Sequence, residues 1–239
     1  MYIDLHCHPI PGLDDGARTL YDGVALLAGL ARLGFSHVVA TPHIRTGLWA
    51  NRRATIEPAA AALHAALRSA RDDGTVVPEL SIAAEHLFDD VSWELFVDGQ
   101  AMLYPGASSA LIEFLYDVIP LRVEMRIWRL CQKGIVPVLA HPERYSPLAH
   151  DSERLEELVG AGARPLLDVM SLVGAYGRTA KAAAERILGE GLYAAACTDA
   201  HKSADLPTIE SALAALDRIV GAAGVRALLV DEPARLIKK

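Results

Sequence analysis

Imidazoles and carboxylates recur along this chain in short groups. Asp4-Leu5-His6-Cys7-His8 sets two histidines two residues apart; Thr41-Pro42-His43, Glu85-His86, Glu113, His141-Pro142-Glu143-Arg144 and Asp199-Ala200-His201 follow. In extended backbone successive side chains face opposite ways. His6 and His8 therefore share a side and both reach one ion, while Cys7 points away into the core. Asp199 and His201 have the same spacing. Carboxylates buried together repel strongly and need cations. Imidazole and oxygen donors without thiolate suit manganese, iron, zinc or magnesium. A hydroxide activated by such ions attacks phosphorus in line, and the ions hold the phosphate oxygens. Arg144 adds a forked donor that matches phosphate and stabilises charge in the transition state.

These groups sit where strands end. Short apolar runs read as buried strands at Tyr2–Leu5, His37–Thr41, Leu80–Ala84, Ala110–Phe114, Val136–Ala140, Pro165–Val169 and Tyr193–Cys197. Amphipathic helices lie between most of them. Leu20–Leu33 carries Leu20, Val24, Leu27, Leu30 and Ala31 on one face, with Thr19 as N-cap and Gly34 as the stop. Leu206–Val220 takes Asp205 as its cap, has Pro207 in its first turn and ends at Gly221. Its stripe is Ile209, Leu213, Leu216 and Ile219/Val220. Alternating strand and helix predicts a parallel α/β sheet covered by helices, closed or nearly closed into one barrel, with an open doubly wound sheet as the alternative. In a parallel barrel the strand C-termini converge on the active face. Of nine histidines, His6, His8, His43, His86, His141 and His201 lie at strand ends; His37, His64 and His150 do not and read as ordinary. The stretch Glu85–Tyr104 fits least well and reads as a hairpin or surface excursion.

Composition narrows the function. Lys plus Arg total 23 and Asp plus Glu 30, a net charge of −7, which argues against a nucleic-acid or anionic-membrane binder. No run reaches the length of a membrane span. Three cysteines, Cys7, Cys131 and Cys197, fit no thiolate zinc motif and read as free thiols of a cytoplasmic protein. Nothing divides the chain, so residues 1–239 are expected to form a single domain.

Seven segments together resemble the PHP (polymerase and histidinol phosphatase) superfamily, and within it the CpsB/CapC-type protein-tyrosine phosphatases of capsule and exopolysaccharide operons. They are Asp4-Leu-His6-Cys-His8, Pro11-Gly-Leu-Asp-Asp15-Gly-Ala, Ala40-Thr-Pro-His43, Leu111-Ile-Glu113-Phe, Pro137-Val-Leu-Ala-His141-Pro-Glu-Arg144, Asp168-Val-Met-Ser-Leu and Thr198-Asp199-Ala-His201. The resemblance implies a distorted (β/α)7 PHP barrel with three divalent metal ions, manganese first among the candidates. By position, the first ion takes His6, His8, Glu85 and Asp199. The second takes Glu85 as a bridge, with Glu113 and His141. The third takes Asp15, His43 and His201. Asp15 is preferred to Asp14 because the family's ligand directly precedes the glycine, here Gly16. Arg144 matches a family arginine that contacts substrate phosphate, and His43, Asp199 and His201 are the candidate proton donors. The implied substrate is a phosphotyrosine protein, a bacterial tyrosine kinase, with no nucleic-acid partner; a homo-oligomer is left open.

Two positions depart from the family pattern. Ile44, then Arg45, follows the Thr-Pro-His step where a second histidine is common. Leu206 stands where the family has an arginine after Asp-Ala-His. Lys202, Arg45 and Arg178 are the candidate replacements; Arg178 lies near a predicted helix start that favours anions. The competing expectations are a PHP phosphatase for a small metabolite, such as a histidinol-phosphate-like or sugar phosphate, and a metal-bound barrel with little catalysis.

Overall fold

In the computed structural model, which describes residues 1–237, each of the seven apolar runs contains a strand. The strands are β1 (Tyr2–Cys7), β2 (Phe35–Ala40), β3 (His43–Ile44), β4 (Glu79–Ile82), β5 (Glu85–Leu87), β6 (Ser109–Glu113), β7 (Val136–Ala140), β8 (Arg164–Asp168) and β9 (Ala195–Cys197). The helices are α1 (Leu20–Arg32), α2 (Arg53–Asp72), α3 (Asp90–Val97), α4 (Val123–Gln132), α5 (Ser152–Gly160), α6 (Arg178–Gly189), α7 (Leu206–Arg226) and α8 (Glu232–Leu236). Every strand pairing is parallel.

The strands form two sheets, β1-β2-β4 and β3-β5-β6-β7-β8-β9. The chain runs almost directly from β2 into β3 and from β4 into β5. Ala83 N–H donates to Ala40 O, and Glu85 N–H to Pro42 O, across the breaks. At the remaining seam β1 meets the end of β9 through one parallel bridge, Cys7 to Ala200, with His8 N–H donating to Ala200 O and Asp199 N–H to His6 O. The result is a distorted (β/α)7 ring that no continuous ladder closes.

Side chains from successive strands fill the ring: Leu5, Val39, Ala83, Leu111, Val138 and Leu166 are fully buried in one cluster. This is the packed interior of a barrel, and it floors the polar site above it. A larger apolar layer lies between strands and helices and includes Cys7. The β1–β2 register shifts between Asp4 and Cys7, so Leu5 and Cys7 pack in different layers although they are two residues apart.

Thr19 caps α1 as expected, in a reciprocal box with Asp22. The buried stripe of α1 is Leu26, Leu27 and Leu30, whereas Leu20 is 39% exposed, a correction to the predicted face. Gly221 breaks α7 where predicted, with φ +67°. Asp205 does not cap α7; its carboxylate instead accepts the N–H groups of His201 and Lys202. The Glu85–Tyr104 stretch is neither hairpin nor excursion. It supplies β5 to the sheet and then α3, capped by Asp89. No helix among the described residues is long and apolar enough to cross a membrane.

Candidate metal centre

The C-terminal strand ends carry a buried cluster of imidazoles and carboxylates. Glu85, on β5, is its hub. Its carboxylate lies 3.4 Å from His6 Nε2, 3.7 Å from His8 Nε2, 2.9 Å from His43 Nδ1 and 3.1 Å from His141 Nε2. Glu113 Oε1 approaches His43 Nδ1 at 3.2 Å, and Asp199 Oδ1 lies 3.0 Å from His6 Nε2 and 3.3 Å from His8 Nε2. Asp15 Oδ1, at the outer edge, lies 3.6 Å from His43 Nε2 and 3.4 Å from His201 Nε2. The ligand atoms form four overlapping groups, each with all its atoms within 4.8 Å of one another: His8/Asp15/His43/His201, His6/His141/Asp199, His6/His8/Glu85 and His43/Glu85/Glu113. All nine residues predicted as ligands are thus brought together. The grouping differs in detail from the expected partition, because His43 faces both Asp15 and the Glu85–Glu113 pair.

The imidazoles are held from behind. His8 Nδ1–H donates to Asp14 Oδ2 at 2.8 Å, His6 Nδ1 lies 2.6 Å from Thr41 Oγ1, and His201 Nδ1–H donates to Asp199 O at 2.7 Å. A carboxylate and a carbonyl can only accept, so His8 and His201 carry the proton on Nδ1 and leave Nε2 as the lone-pair donor, while Thr41 holds the His6 ring in place. Gly16 is required by close packing: a Cβ there would stand 2.2 Å from His8 O and 2.5 Å from His8 Cβ. His141 (φ +34°) and Asp199 (φ +47°) both adopt the left-handed region that non-glycine residues avoid. Such strain costs about 1–3 kcal/mol per residue and persists where the surroundings impose it.

A buried polar atom without a partner is costly. Seven such atoms converge here: His6 Nε2, His8 Nε2, His43 Nδ1, Glu85 Oε2, Glu113 Oε1, His141 Nδ1 and Asp199 Oδ1. Charge tells the same story. Burial and the neighbouring Glu85 push the Glu113 carboxyl up. Burial opposes ionisation of Glu85, but His6 and His43 hold it well below the usual carboxylate range. Burial opposes the charge on His43 as well, and Glu85 and Glu113 still raise it to about 11. Nitrogen and oxygen donors, buried, convergent and unpartnered, fit divalent cations.

A cleft of about 400 Å³ opens over the cluster, lined in part by Asp15, Arg144, Tyr176, Asp199, His201 and Lys202. Arg144 Nη1 donates to Asp199 Oδ2 at 2.6 Å and approaches Asp168 Oδ2 at 3.5 Å, while Nη2 donates to Tyr116 Oη. Burial opposes the charge on Arg144, and Asp199 and Asp168 outweigh it, so the guanidinium stays ionised.

The family model for capsular polysaccharide synthesis, CpsB/CapC, matches residues 2–238. The chain belongs to the CpsB/CapC family. It is 32% identical over 199 residues to the tyrosine-protein phosphatase YwqE of Bacillus subtilis, covering 83% of this chain and 77% of YwqE. A crystal structure from the pair YwqE of B. subtilis and CpsB of Streptococcus pneumoniae, described as unique metal-dependent tyrosine phosphatases, matches with TM-score 0.88. The identity is 28%, covering 98% of this chain and 94% of that one. The lactonase Lmo2620 of Listeria monocytogenes, 13% identical, matches with TM-score 0.59 over 99% of this chain and 94% of its own, a likeness of fold alone.

This CpsB/CapC chain departs from its family pattern at Leu206, and the structure shows where that side chain goes. It packs on α1, where a Cβ on Gly29 would stand 2.1 Å from Leu206 Cδ1. Among the candidate replacements, Lys202 lines the cleft and the charge of Arg45 acts on Glu113. Arg178 is exposed at the start of α6 and is not among the cleft-lining residues. His86 is structural: Nδ1–H donates to Leu111 O, and Nε2 accepts Met102 N–H. Several contributors escaped the sequence reading. Asp14 and Thr41 orient imidazoles, Trp49 stacks on His43 at 4.6 Å, and Tyr116 and Tyr176 lie against Arg144. The Asp14-Asp15 pair was the one visible signal among these, since a carboxylate beside a ligand is a common histidine orienter.

Proposed function

We propose that this chain is a metal-dependent protein-tyrosine phosphatase. It hydrolyses phosphotyrosine on a bacterial tyrosine kinase in the cytoplasm and so regulates capsule or exopolysaccharide synthesis. The observation that carries this reading is the convergence of unpartnered His, Glu and Asp atoms beneath Arg144 at one cleft. Membership of the CpsB/CapC family and the likeness to YwqE support the choice of phosphotyrosine.

Three divalent ions are assigned, manganese first. His6, His8, Glu85 and Asp199 hold one. Glu113 and His141 hold a second with Glu85 shared. Asp15, His43 and His201 hold the third. Once bound, such ions supply an acidified water and counter-charge for the phosphate oxygens. The side chains do the rest. Arg144 has five N–H donors, and its partners Asp168, Asp199 and Tyr116 leave donors for a phosphate oxygen. Asp199 and Asp168 hold the guanidinium in place. Asp14 keeps His8 in the ligating tautomer, and Thr41 holds the His6 ring in place. A proton for the leaving oxygen would have to come from a group that is not coordinating an ion. A phenolate, with a pKa of about 10, needs that help less than an alkoxide does.

The test is phosphate release from a phosphotyrosine peptide and from a panel of alkyl phosphates. Chelated protein is compared with protein resupplied with manganese, zinc or magnesium. Release from the peptide, restored by metal and unaffected by thiol alkylation, is expected. Release from alkyl phosphates alone would replace this reading with a small-metabolite phosphatase. Bound metal with no release from any substrate would leave a binding barrel.

A further inference from the structure

Metal-assisted hydrolysis does not itself require the two tyrosines beside Arg144. The Arg144 Cζ lies 4.1 Å from the centre of the Tyr176 ring and 5.1 Å from that of Tyr116. The Tyr116 ring lies 6.2 Å from the His141 ring, so it stands directly beside the cluster. Tyr176 forms part of the cleft wall with Asp15 and His201. Both residues touch a charged group at the site, yet Tyr116 stays 40% and Tyr176 37% exposed. The rings therefore have surface left for something entering from solvent.

The ester geometry says what that is. A phosphate held by Arg144 over the cluster would direct its ester oxygen towards the open side of the cleft. The group attached to that oxygen would meet Tyr176 in the cleft wall, with Tyr116 on the other side of Arg144. An aromatic ring gains offset or edge-to-face contacts on tyrosine of about 0.5–1.5 kcal/mol beyond its buried area. A serine or sugar ester has no such ring to offer. We infer that Tyr116 and Tyr176 are specificity-determining residues: their exposed rings receive the phenyl ring of the substrate, and the preference for aryl over alkyl phosphates is made there. This rests on the phosphotyrosine reading above and goes on to name the residues that enforce it. Leu206, turned onto α1, supplies neither a charge nor a ring at the mouth.

The experiment measures binding of phenylphosphonate and methylphosphonate to the metal-loaded protein by calorimetry, and kcat/KM on a phosphotyrosine peptide alongside. The wild-type protein is expected to prefer phenylphosphonate. Tyr176→Leu and Tyr116→Leu each lower that preference roughly three- to tenfold, while Tyr176→Phe and Tyr116→Phe keep it within about twofold. The Tyr176 hydroxyl also hydrogen-bonds the Asp168 carboxylate, so Tyr176→Gln, a second ring-less variant that keeps a polar partner for Asp168, is expected to behave like Tyr176→Leu. An unchanged phenyl-to-methyl ratio in the ring-less variants overturns the inference. So does an equal weakening of both ligands, because the rings would then serve only to restrain Arg144. Absence of aryl phosphatase activity in the wild-type protein would overturn the phosphotyrosine reading and this inference with it. Activity in the wild type with an unchanged ratio in the variants overturns the inference alone.

Discussion

Asp14 Oδ2 accepts two hydrogen bonds at once, from His8 Nδ1–H at 2.8 Å and from the His43 backbone N–H at 3.1 Å. One carboxylate oxygen thereby ties the end of β1 to the start of β3, and both strands carry candidate ligands. Its other oxygen accepts the Gly16 N–H at 3.0 Å. Burial opposes this charge, but His8 and Gly16 outweigh it and hold the Asp14 carboxyl down at about 2. An amide offers one acceptor oxygen and cannot serve all three donors. Asp14→Asn is therefore expected to weaken metal binding roughly 10–100-fold while the protein stays folded. Competition against a chelator of known affinity measures this, and an unchanged affinity would exclude the orienting role.

Arg144 and the cluster are separable. Arg144→Lys keeps a charge near Asp199 but loses the fork. Metal content is expected to stay at the wild-type level while kcat for an aryl phosphate drops by about 10²–10³. Metal analysis and phosphate release on the same sample check both halves. Coincident loss of metal would move Arg144 from the substrate to the scaffold.

Metal removal should be felt throughout the fold. Glu85, Glu113 and Asp199 are buried together, and ions that bind only the folded chain stabilise it by mass action, about 4 kcal/mol at a thousandfold excess over Kd. Chelation is expected to lower Tm, and added manganese to restore it. Glu113→Ala, which removes a carboxylate rather than its counter-ion, should bind less metal and show a smaller chelator effect. A Tm indifferent to chelator would refute the metal assignment.

Glu143 supplies a pH dependence. It is fully enclosed and accepts hydrogen bonds from Asp168 N–H, Ser171 Oγ–H and Tyr193 Oη–H. Burial pushes its carboxyl up from 4.5 to about 7. Between those values the unfolded chain has shed the proton and the folded chain retains it. The contribution of Glu143 to stability is therefore full below about pH 4.5 and declines as pH rises towards 7. Glu143→Gln removes this dependence, so the difference in Tm between variant and wild type should grow in the variant's favour across that interval. Thermal melts at several pH values test it, and parallel curves would contradict it.

Seven of the nine described strands and nearly all of the cluster were legible in the sequence, because each of those seven is a short apolar run with a donor at or just beyond its end; β3, two residues long, and β5 were not. His6, His8, Glu113, His141 and Asp199 sit where that rule places them. The rule failed at Glu85–Tyr104, where β5 has three residues and α3 eight, too short for either period to show. The face of α1 was shifted because Gly23 and Gly29, small residues with no hydropathic signal, lie against Pro9 and Leu206. Tyr116 and Tyr176 were illegible for another reason. They lie in loops, and what brings them to Arg144 is the folding of distant segments rather than local spacing.

The seam between β1 and β9 governs when the protein can acquire its chemistry. Cys7 pairs with Ala200 there, and the donors on either side come from opposite ends of the chain: His6 and His8 from one, Asp199 and His201 from the other. During synthesis the histidines of β1 wait, without their partners, until the ribosome has released His201. An ion held by both sets of donors would clamp a seam whose two sides, at Cys7 and Ala200, lie 193 residues apart, so binding it would also fasten the ring where no ladder closes it.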